Sequence, residues 1–237
     1  MDGSRSDILL CFPAAGGGPS FFAPWSGVSS VFDVVPVDLP GKEKLLFEEP
    51  VDSIPGLARA VLPAVRAAVT GRRRIALFGH CFGAIVAYEL ARLLEHEDGA
   101  GELVLFASGS AAPGEIPWTR AADLPDEGLL RQVALNAGES GAIPEDPELR
   151  ELILPALRAD VTAHESYEPP ASPPVSCSVV TVRGADDTLV SAESAARWRD
   201  FATGRVGGFE LPGGHMYLTE QWGPLMAHLE KEVGDRA

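Results

Sequence analysis

Short runs of consecutive apolar residues recur along the chain, and each is about as long as a buried strand. The runs cover residues 8–12, 31–37, 75–78, 103–107 and 175–182. Apolar residues in succession, rather than in alternation with polar ones, are typical of strands that are buried on both faces of a parallel sheet. The pattern therefore predicts five strands of such a sheet.

Helical periodicity separates several of these runs. In residues 53–69, Ser53 is a candidate N-cap, Pro55 falls in the first turn, and the apolar residues then recur about every 3.6 positions. Three further helices are predicted over residues 84–94, 192–201 and 217–233. Strands that alternate with helices predict an α/β fold, in which helices flank both faces of a mostly parallel central sheet.

Residues 113–174 interrupt this alternation. They contain no convincing strand, but two helical pieces, residues 128–137 and 148–161, are separated by Gly and Pro. A structureless loop of this length is uncommon in a compact domain. We therefore predict a helical lid that is inserted into a single domain spanning residues 1–237 and lies over the edge of the sheet.

Composition and charge narrow the classes of function. The chain has 237 residues, 46% of them apolar, a formal net charge of −15 and a sequence pI of about 4.7. The negative charge opposes binding to a phosphate backbone. No apolar run reaches the roughly 18 residues that a membrane span requires, and the polar start lacks a signal peptide's apolar region. We expect a cytoplasmic protein that binds neither nucleic acid nor membrane.

The three cysteines are too few and too scattered for a disulfide framework or a metal site. Cys11 and Cys177 lie within apolar runs, where a cysteine usually behaves as a small buried hydrophobic residue. Cys81 lies in a different context, a glycine-flanked segment between a strand and a helix. It is the candidate for chemistry.

The segment around Cys81 has the pattern of a nucleophile elbow. Gly79 and Gly83 flank it at two residues on either side, directly after the strand at 75–78 and before the helix at 84–94. A nucleophile on so sharp a turn is strained, and the flanking positions must lack bulk where strand and helix approach. The start of the helix favours negative charge. The backbone N–H of Phe82 is the expected first oxyanion donor.

The partners that a thiol nucleophile needs follow in the order expected for a hydrolase fold. Asp187 follows a predicted strand and is the candidate acid, with Asp186 as the competing choice. His215 follows a Pro-Gly-Gly segment and is the candidate base. The glycine-rich segment after the first strand places Ala14, or else Ala15, as the second oxyanion donor.

The other four histidines have no catalytic role in this arrangement. His80 belongs to the elbow, and its ring is expected to point away from the site. His96, His164 and His228 occur in helical or connecting segments, and we predict that they lie on the surface.

At this level of detail the chain resembles the stand-alone type II thioesterases that accompany polyketide and nonribosomal peptide synthetases, a group within the α/β-hydrolase superfamily. The resemblance rests on Tyr167 and on residues 12–17, 38–43, 78–84, 88–92, 154–160, 184–187 and 213–215. It implies a substrate acyl group held as a thioester on the phosphopantetheine arm of an acyl or peptidyl carrier protein, and no further cofactor. The acyl group would enter a channel under residues 113–174.

The chain departs from the family where the chemistry takes place. The family ordinarily has Ser where Cys81 stands, Met or Leu where Phe82 stands, and Arg where Lys42 stands. A cysteine paired with His215 can exist as a thiolate–imidazolium pair, so no alcohol has to be deprotonated. The acyl group on Cys81 would remain an activated thioester, which suits hydrolysis or transfer.

Several functions follow from these residues. The first is a thioesterase with a Cys-His-Asp triad, in which acyl-Cys81 is the intermediate, His215 the general base and Asp187 the residue that orients it. The alternatives are a chain-releasing acyltransferase or cyclase, a hydrolase of small lactones like dienelactone hydrolase, and a carrier-binding module without activity. We expect a monomer. Because carrier proteins are commonly acidic too, docking would require a local apolar or basic patch.

Overall fold

A parallel sheet forms the centre of the fold in a computed structural model that describes residues 7–97, 101–136, 146–171 and 173–234. Within these ranges the sheet has six strands in the order β2-β1-β3-β4-β5-β6, and every neighbouring pair is parallel. The strands are β1 (Asp7–Phe12), β2 (Phe32–Pro36), β3 (Arg74–His80), β4 (Glu102–Ser108), β5 (Ser178–Gly184) and β6 (Val206–Leu211).

Helices cover both faces of the sheet, as the sequence predicts. They are α1 (Ile54–Val69), α2 (Phe82–Leu94), α3 (Asp126–Asn136), α4 (Pro147–Glu165), α5 (Ala192–Ala196) and α6 (Trp222–Gly234). On β1, Ile8 and Leu10 belong to the apolar cluster that contains α1 and α2, whereas Leu9 and Cys11 belong to the cluster that contains α6. This double burial explains the unbroken apolar run of β1. No described helix combines the length and the apolar composition needed to cross a bilayer.

Several predicted boundaries are wrong by a few residues. The run at residues 175–182 begins with an isolated bridge from Val175 to Ala202, and the strand itself starts only at Ser178. The helix predicted over 192–201 divides into α5 and a 3₁₀ turn, Arg197–Phe201. The last helix begins at Trp222, after a separate 3₁₀ turn.

Strand β6 has no counterpart among the predicted strands. It contains Gly207 and Gly208, and most of its residues are partly or fully exposed because it lies at one edge of the sheet. A half-exposed strand with two glycines lacks the continuous apolar run that identifies the interior strands. The omission matters because β6 leads directly towards His215.

Helices α3 and α4 lie between β4 and β5 in the chain, within the predicted insertion at 113–174. Leu129 and Leu130 of α3 pack with Leu157 and Val161 of α4 in a small apolar cluster of their own. The predicted helical piece at 128–137 ends at Ala137, which lies outside the described residues. A lid function for this insertion remains a prediction.

Candidate active site

Cys81 lies at the joint between β3 and α2. Its backbone adopts φ 53° and ψ −117°, a strained conformation for a residue with a side chain. A Cβ atom at Gly79 would lie 2.1 Å from the carbonyl oxygen of Gly83, and one at Gly83 would lie 2.3 Å from that of Phe12. Both flanking positions therefore exclude any side chain, as the predicted elbow requires. The thiol lies at the N-cap of α2, which favours negative charge.

Asp187 and His215 form a buried pair beyond the ends of β5 and β6. The Nδ1 of His215 lies 3.0 Å from Oδ2 of Asp187. The other carboxylate oxygen, Oδ1, accepts the backbone N–H groups of Leu189, at 2.8 Å, and Val190, at 3.0 Å. Asp186, the competing choice, is exposed to solvent. The geometry thus brings Asp187 to the position from which a carboxylate orients a catalytic histidine.

These contacts raise the pKa of His215 and lower the pKa of Asp187. Burial alone would lower the pKa of His215, but the hydrogen bonds with Asp187 and Cys81, and the charges of both groups, raise it to about 10. Burial alone would raise the pKa of Asp187, but the hydrogen bond and charge of His215 and two backbone N–H groups lower it. At neutral pH, His215 is therefore an imidazolium facing Asp187 and Cys81.

A cavity of about 80 Å³ opens above Cys81 and His215. Its walls are mostly apolar, and its lining consists of Ala14, Ala15, Cys81, Trp118, Ala121, Val133, Asn136, Val161, His164, Glu165, Leu189, His215 and Met216. Ala14 and Ala15 both reach the cavity, so the choice between them as oxyanion donor stays open. Phe82, the other predicted donor, begins α2 immediately after Cys81. The space suits an acyl group beside a nucleophile.

The sequence of this chain matches the model of the thioesterase domain family over residues 7–233. The chain belongs to the thioesterase family. It is 34% identical to thioesterase PikA5 of Streptomyces venezuelae over 215 residues, which cover 90% of this chain and 76% of PikA5. It is 33% identical to thioesterase TesA of Mycobacterium marinum over 223 residues, which cover 94% of this chain and 89% of TesA.

Solved structures agree with this assignment. The thioesterase superposes with a TM-score of 0.84 on RedJ, a thioesterase of the prodiginine pathway in Streptomyces coelicolor, at 34% identity over 98% of this chain and 95% of RedJ. With BorB, the type II thioesterase of the borrelidin cluster, the TM-score is 0.85 at 31% identity, and the match covers 96% of this chain and 92% of BorB. The fold is that of the α/β hydrolases. An enol-lactonase from Burkholderia xenovorans shares this fold at 16% identity and a TM-score of 0.72.

The prediction that His164 lies on the surface is wrong. Its side chain is buried in the wall of the cavity, with its ring centroid 4.9 Å from that of Trp118 and 5.9 Å from that of Phe82. Burial, together with the charge of His215, lowers the pKa of His164 to about 3. The spacing of His164 in the sequence could have indicated its burial, because it follows Leu157 and Val161 on the buried face of α4.

The remaining three histidines of the thioesterase differ in their burial. His96 and His228 are exposed, as predicted. His80 is fully buried, and its Nδ1 lies 2.9 Å from Oγ of Ser108. Its ring centroid lies 5.0 Å from that of His215. Burial is the main cause that lowers the pKa of His80, and the charge of His215 adds to it, so this ring is neutral beside the imidazolium.

One charged residue of the cavity wall, Glu165, was missed because no local pattern marks it. Glu165 accepts the backbone N–H groups of Ala121, at 2.7 Å, and Ala122, at 3.0 Å, and so holds the segment after Trp118 against the end of α4. The partners are more than 40 residues apart in sequence. Among the side chains in the described ranges, no three His, Cys, Asp or Glu groups are arranged as metal ligands.

Proposed function

We propose that this thioesterase hydrolyses acyl thioesters that carrier proteins of polyketide or nonribosomal peptide assembly present on their phosphopantetheine arms. The observation that carries the proposal is the strained Cys81 on its elbow, facing the His215–Asp187 pair at the base of an apolar cavity. The likeness to RedJ and BorB, which belong to prodiginine and borrelidin biosynthesis, supports the choice of substrate class.

In the first half-reaction the thiolate of Cys81 attacks the thioester carbonyl. A bond forms between Sγ and the carbonyl carbon, and the bond from that carbon to the sulfur of the arm breaks. The imidazolium of His215 gives its proton to the departing sulfur. The backbone N–H of Phe82, together with that of Ala14 or Ala15, stabilises the oxyanion that forms in between. The products are acyl-Cys81, a neutral His215 and the free thiol of the carrier.

In the second half-reaction a water molecule releases the acyl group. Neutral His215 takes a proton from the water, whose oxygen attacks the acyl carbon, and Cys81 departs as a thiolate. Asp187 holds the imidazole in one orientation throughout and stabilises its charged form. The carboxylic acid leaves, and the thiolate–imidazolium pair is restored, so the protons balance over the cycle.

Acyl transfer is the second candidate function, and the nucleophile favours it. The acyl group on Cys81 is still a thioester, whereas on the Ser usual in the family it would be an ordinary ester. An amine or alcohol that replaces water would yield an amide or an ester, and a nucleophile within the acyl chain would close a ring. The bonds broken and formed at Cys81 are the same as in hydrolysis.

Intact-protein mass spectrometry with a panel of acyl carrier thioesters tests the covalent route. We expect an acyl adduct on Cys81 and a loss of turnover of at least about 10³-fold in Cys81→Ala. The matched control Cys177→Ala removes a buried thiol outside the cavity and should retain both adduct and turnover. Full turnover by Cys81→Ala would overturn the proposal.

Comparison of the wild type with Cys81→Ser separates hydrolysis from transfer. Each enzyme is given one acyl carrier thioester and an amine acceptor. We expect the ratio of amide to free acid to fall in Cys81→Ser, because the oxygen ester formed on serine is less reactive towards amines than the thioester formed on cysteine. An unchanged ratio would contradict the transfer function and leave hydrolysis as the activity. Selective alkylation of Cys81 by iodoacetamide near neutral pH would argue against a carrier-binding module without activity.

A further inference from the structure

Two segments that carry the family resemblance, residues 38–43 and 154–160, meet at the glycine-rich segment after β1. We call residues 13–18 of that segment the glycine loop. It contains Ala14 and Ala15, the two candidates for the oxyanion donor. The mechanism above gives neither of the other two segments a role.

Asp160 of α4 makes the central contact. Its Oδ2 accepts the backbone N–H of Gly16 at 2.7 Å and the Nζ of Lys42 at 2.5 Å. The side chains of Asp160 and Lys42 are each only 5% exposed. A buried carboxylate that is paired with a buried cation has little freedom to move, because a movement that separates the two would leave both charges buried and unpaired.

Neighbouring contacts hold the same loop. A Cβ atom at Gly16, whose φ is +77°, would lie 2.8 Å from Cδ1 of Leu157, so the backbone there packs directly on α4. Beyond the other end of the loop, Oε1 of Glu43 accepts the backbone N–H of Ser20 at 3.0 Å. Lys42 also lies over the ring of Phe82, with Nζ 5.4 Å from the ring centroid. The glycine loop is thus held from α4 and from the segment after β2.

We propose that Asp160 is a positioning residue whose carboxylate, neutralised by Lys42, holds the glycine loop at the distance from Cys81 that oxyanion stabilisation requires. The inference rests on the proposed function, since it assigns the oxyanion donor to this loop. An oxyanion donor acts only within about 2.7–3.1 Å of the developing charge. A displacement of about 1 Å lowers the rate on the order of 100-fold.

Two variants and a matched control separate positioning from a structural role. The double variant Lys42→Met with Asp160→Leu replaces a buried ion pair by apolar groups, a change that is often neutral for stability, but it leaves Gly16 without an acceptor. Asp160→Asn keeps an oxygen acceptor for Gly16. The control Tyr167→Phe breaks the 2.5 Å hydrogen bond from Tyr167 to Glu89, which fastens the segment after α4 to α2 without touching the glycine loop.

The kinetic test compares two reactions of Cys81. Acylation by a thioester develops an oxyanion, whereas alkylation by iodoacetamide does not. We expect the double variant to slow acylation about 10- to 100-fold, with alkylation and melting temperature close to those of the wild type, and Asp160→Asn to slow it less. Tyr167→Phe should change neither rate. Equal acylation rates in the wild type and the double variant would overturn the proposal.

Amide hydrogen exchange of the glycine loop is a readout that does not depend on thioester chemistry. We expect exchange at Gly16 to accelerate at least about tenfold in the double variant and to stay unchanged in Tyr167→Phe, because only the former loses the acceptor of that N–H. Unchanged exchange in the double variant would refute the role of Asp160. A wild type that forms no acyl-Cys81 would refute the proposed function instead.

Discussion

At the scale of single residues, the proposed mechanism depends on whether His215 carries a proton. His215 is charged at rest because Asp187 and Cys81 together outweigh the effect of its burial on its pKa. In the proposed acyl-Cys81 intermediate the contact between His215 and the thiol is lost, and one of the two causes of the raised pKa disappears. A larger share of His215 is then neutral at the proposed step in which water must lose a proton, and only the neutral ring can accept that proton.

Replacement of Cys81 by Ala should therefore lower the pKa of His215 from about 10. The physical reason is the loss of one hydrogen bond and one charge that favour the imidazolium, while the contact with Asp187 remains. Titration of the imidazole ¹⁵N resonances by NMR measures the change. Cys177→Ala is the control that should leave the titration as it is in the wild type. An identical pKa for His215 in Cys81→Ala would show that the thiol does not contact the ring.

At the scale of elements, the elbow is a joint between three parts of the fold. Gly79 is the last residue but one of β3, Gly83 is the second residue of α2, and the backbone of Phe12, at the end of β1, lies against Gly83 and leads into the glycine loop. A change in the elbow therefore reaches Cys81 and the predicted oxyanion donors together.

Gly83→Ala tests this joint. The added methyl would lie 2.3 Å from the carbonyl oxygen of Phe12, so the backbone must shift, and we expect a loss of about 1–3 kcal/mol in the free energy of unfolding. Acylation of Cys81 should slow as well. The control Gly207→Ala lies in β6, where a Cβ atom would meet nothing within 4 Å, and it should change stability by less than about 1 kcal/mol. Urea unfolding measures the stability of both variants. Equal losses of stability in Gly83→Ala and Gly207→Ala would contradict the crowding at Gly83.

At the scale of the whole molecule, buried neutral histidines set the response to acid. His80 and His164 are both buried and have a lowered pKa. In the unfolded chain a histidine gains its proton near pH 6.5, whereas folded His164 does so only near pH 3. As the pH falls below 6.5, the unfolded state binds more protons than the native state, and the free energy of unfolding decreases.

His164→Leu should flatten this decrease. Each buried neutral histidine contributes a slope of up to about 1.4 kcal/mol per pH unit, so the removal of one should lower the slope by that amount as the pH falls below 6.5. Urea unfolding at a series of pH values measures the slope. His228→Leu removes an exposed imidazole and is expected to leave the slope unchanged. If His164→Leu has the slope of the wild type, His164 is not neutral in the folded state.

The parts of this protein that the sequence predicts are those with a local physical signature. The interior strands have continuous apolar runs because both of their faces are buried, and the elbow has its two glycines because any side chain there would overlap backbone atoms. Asp187 and His215 were identifiable because they follow the elbow in the order of the hydrolase fold, Asp187 after a predicted strand and His215 after a Pro-Gly-Gly segment. Strand β6 was not, because an exposed edge with two glycines requires no apolar run.

By itself, then, the sequence determined the class of fold, and it predicted the elbow around Cys81 and the order of Asp187 and His215 after it, since each depends on neighbours along the chain. Only the tertiary structure decided that His164 lines the cavity, that Glu165 holds the wall at Ala121, and that Asp160 joins Gly16 to Lys42. These contacts join residues that are distant in the chain, such as Gly16 and Asp160, which are 144 positions apart. Asp160 meets Gly16 and Lys42 only when the insertion packs against the segments after β1 and β2, and no local pattern records that packing.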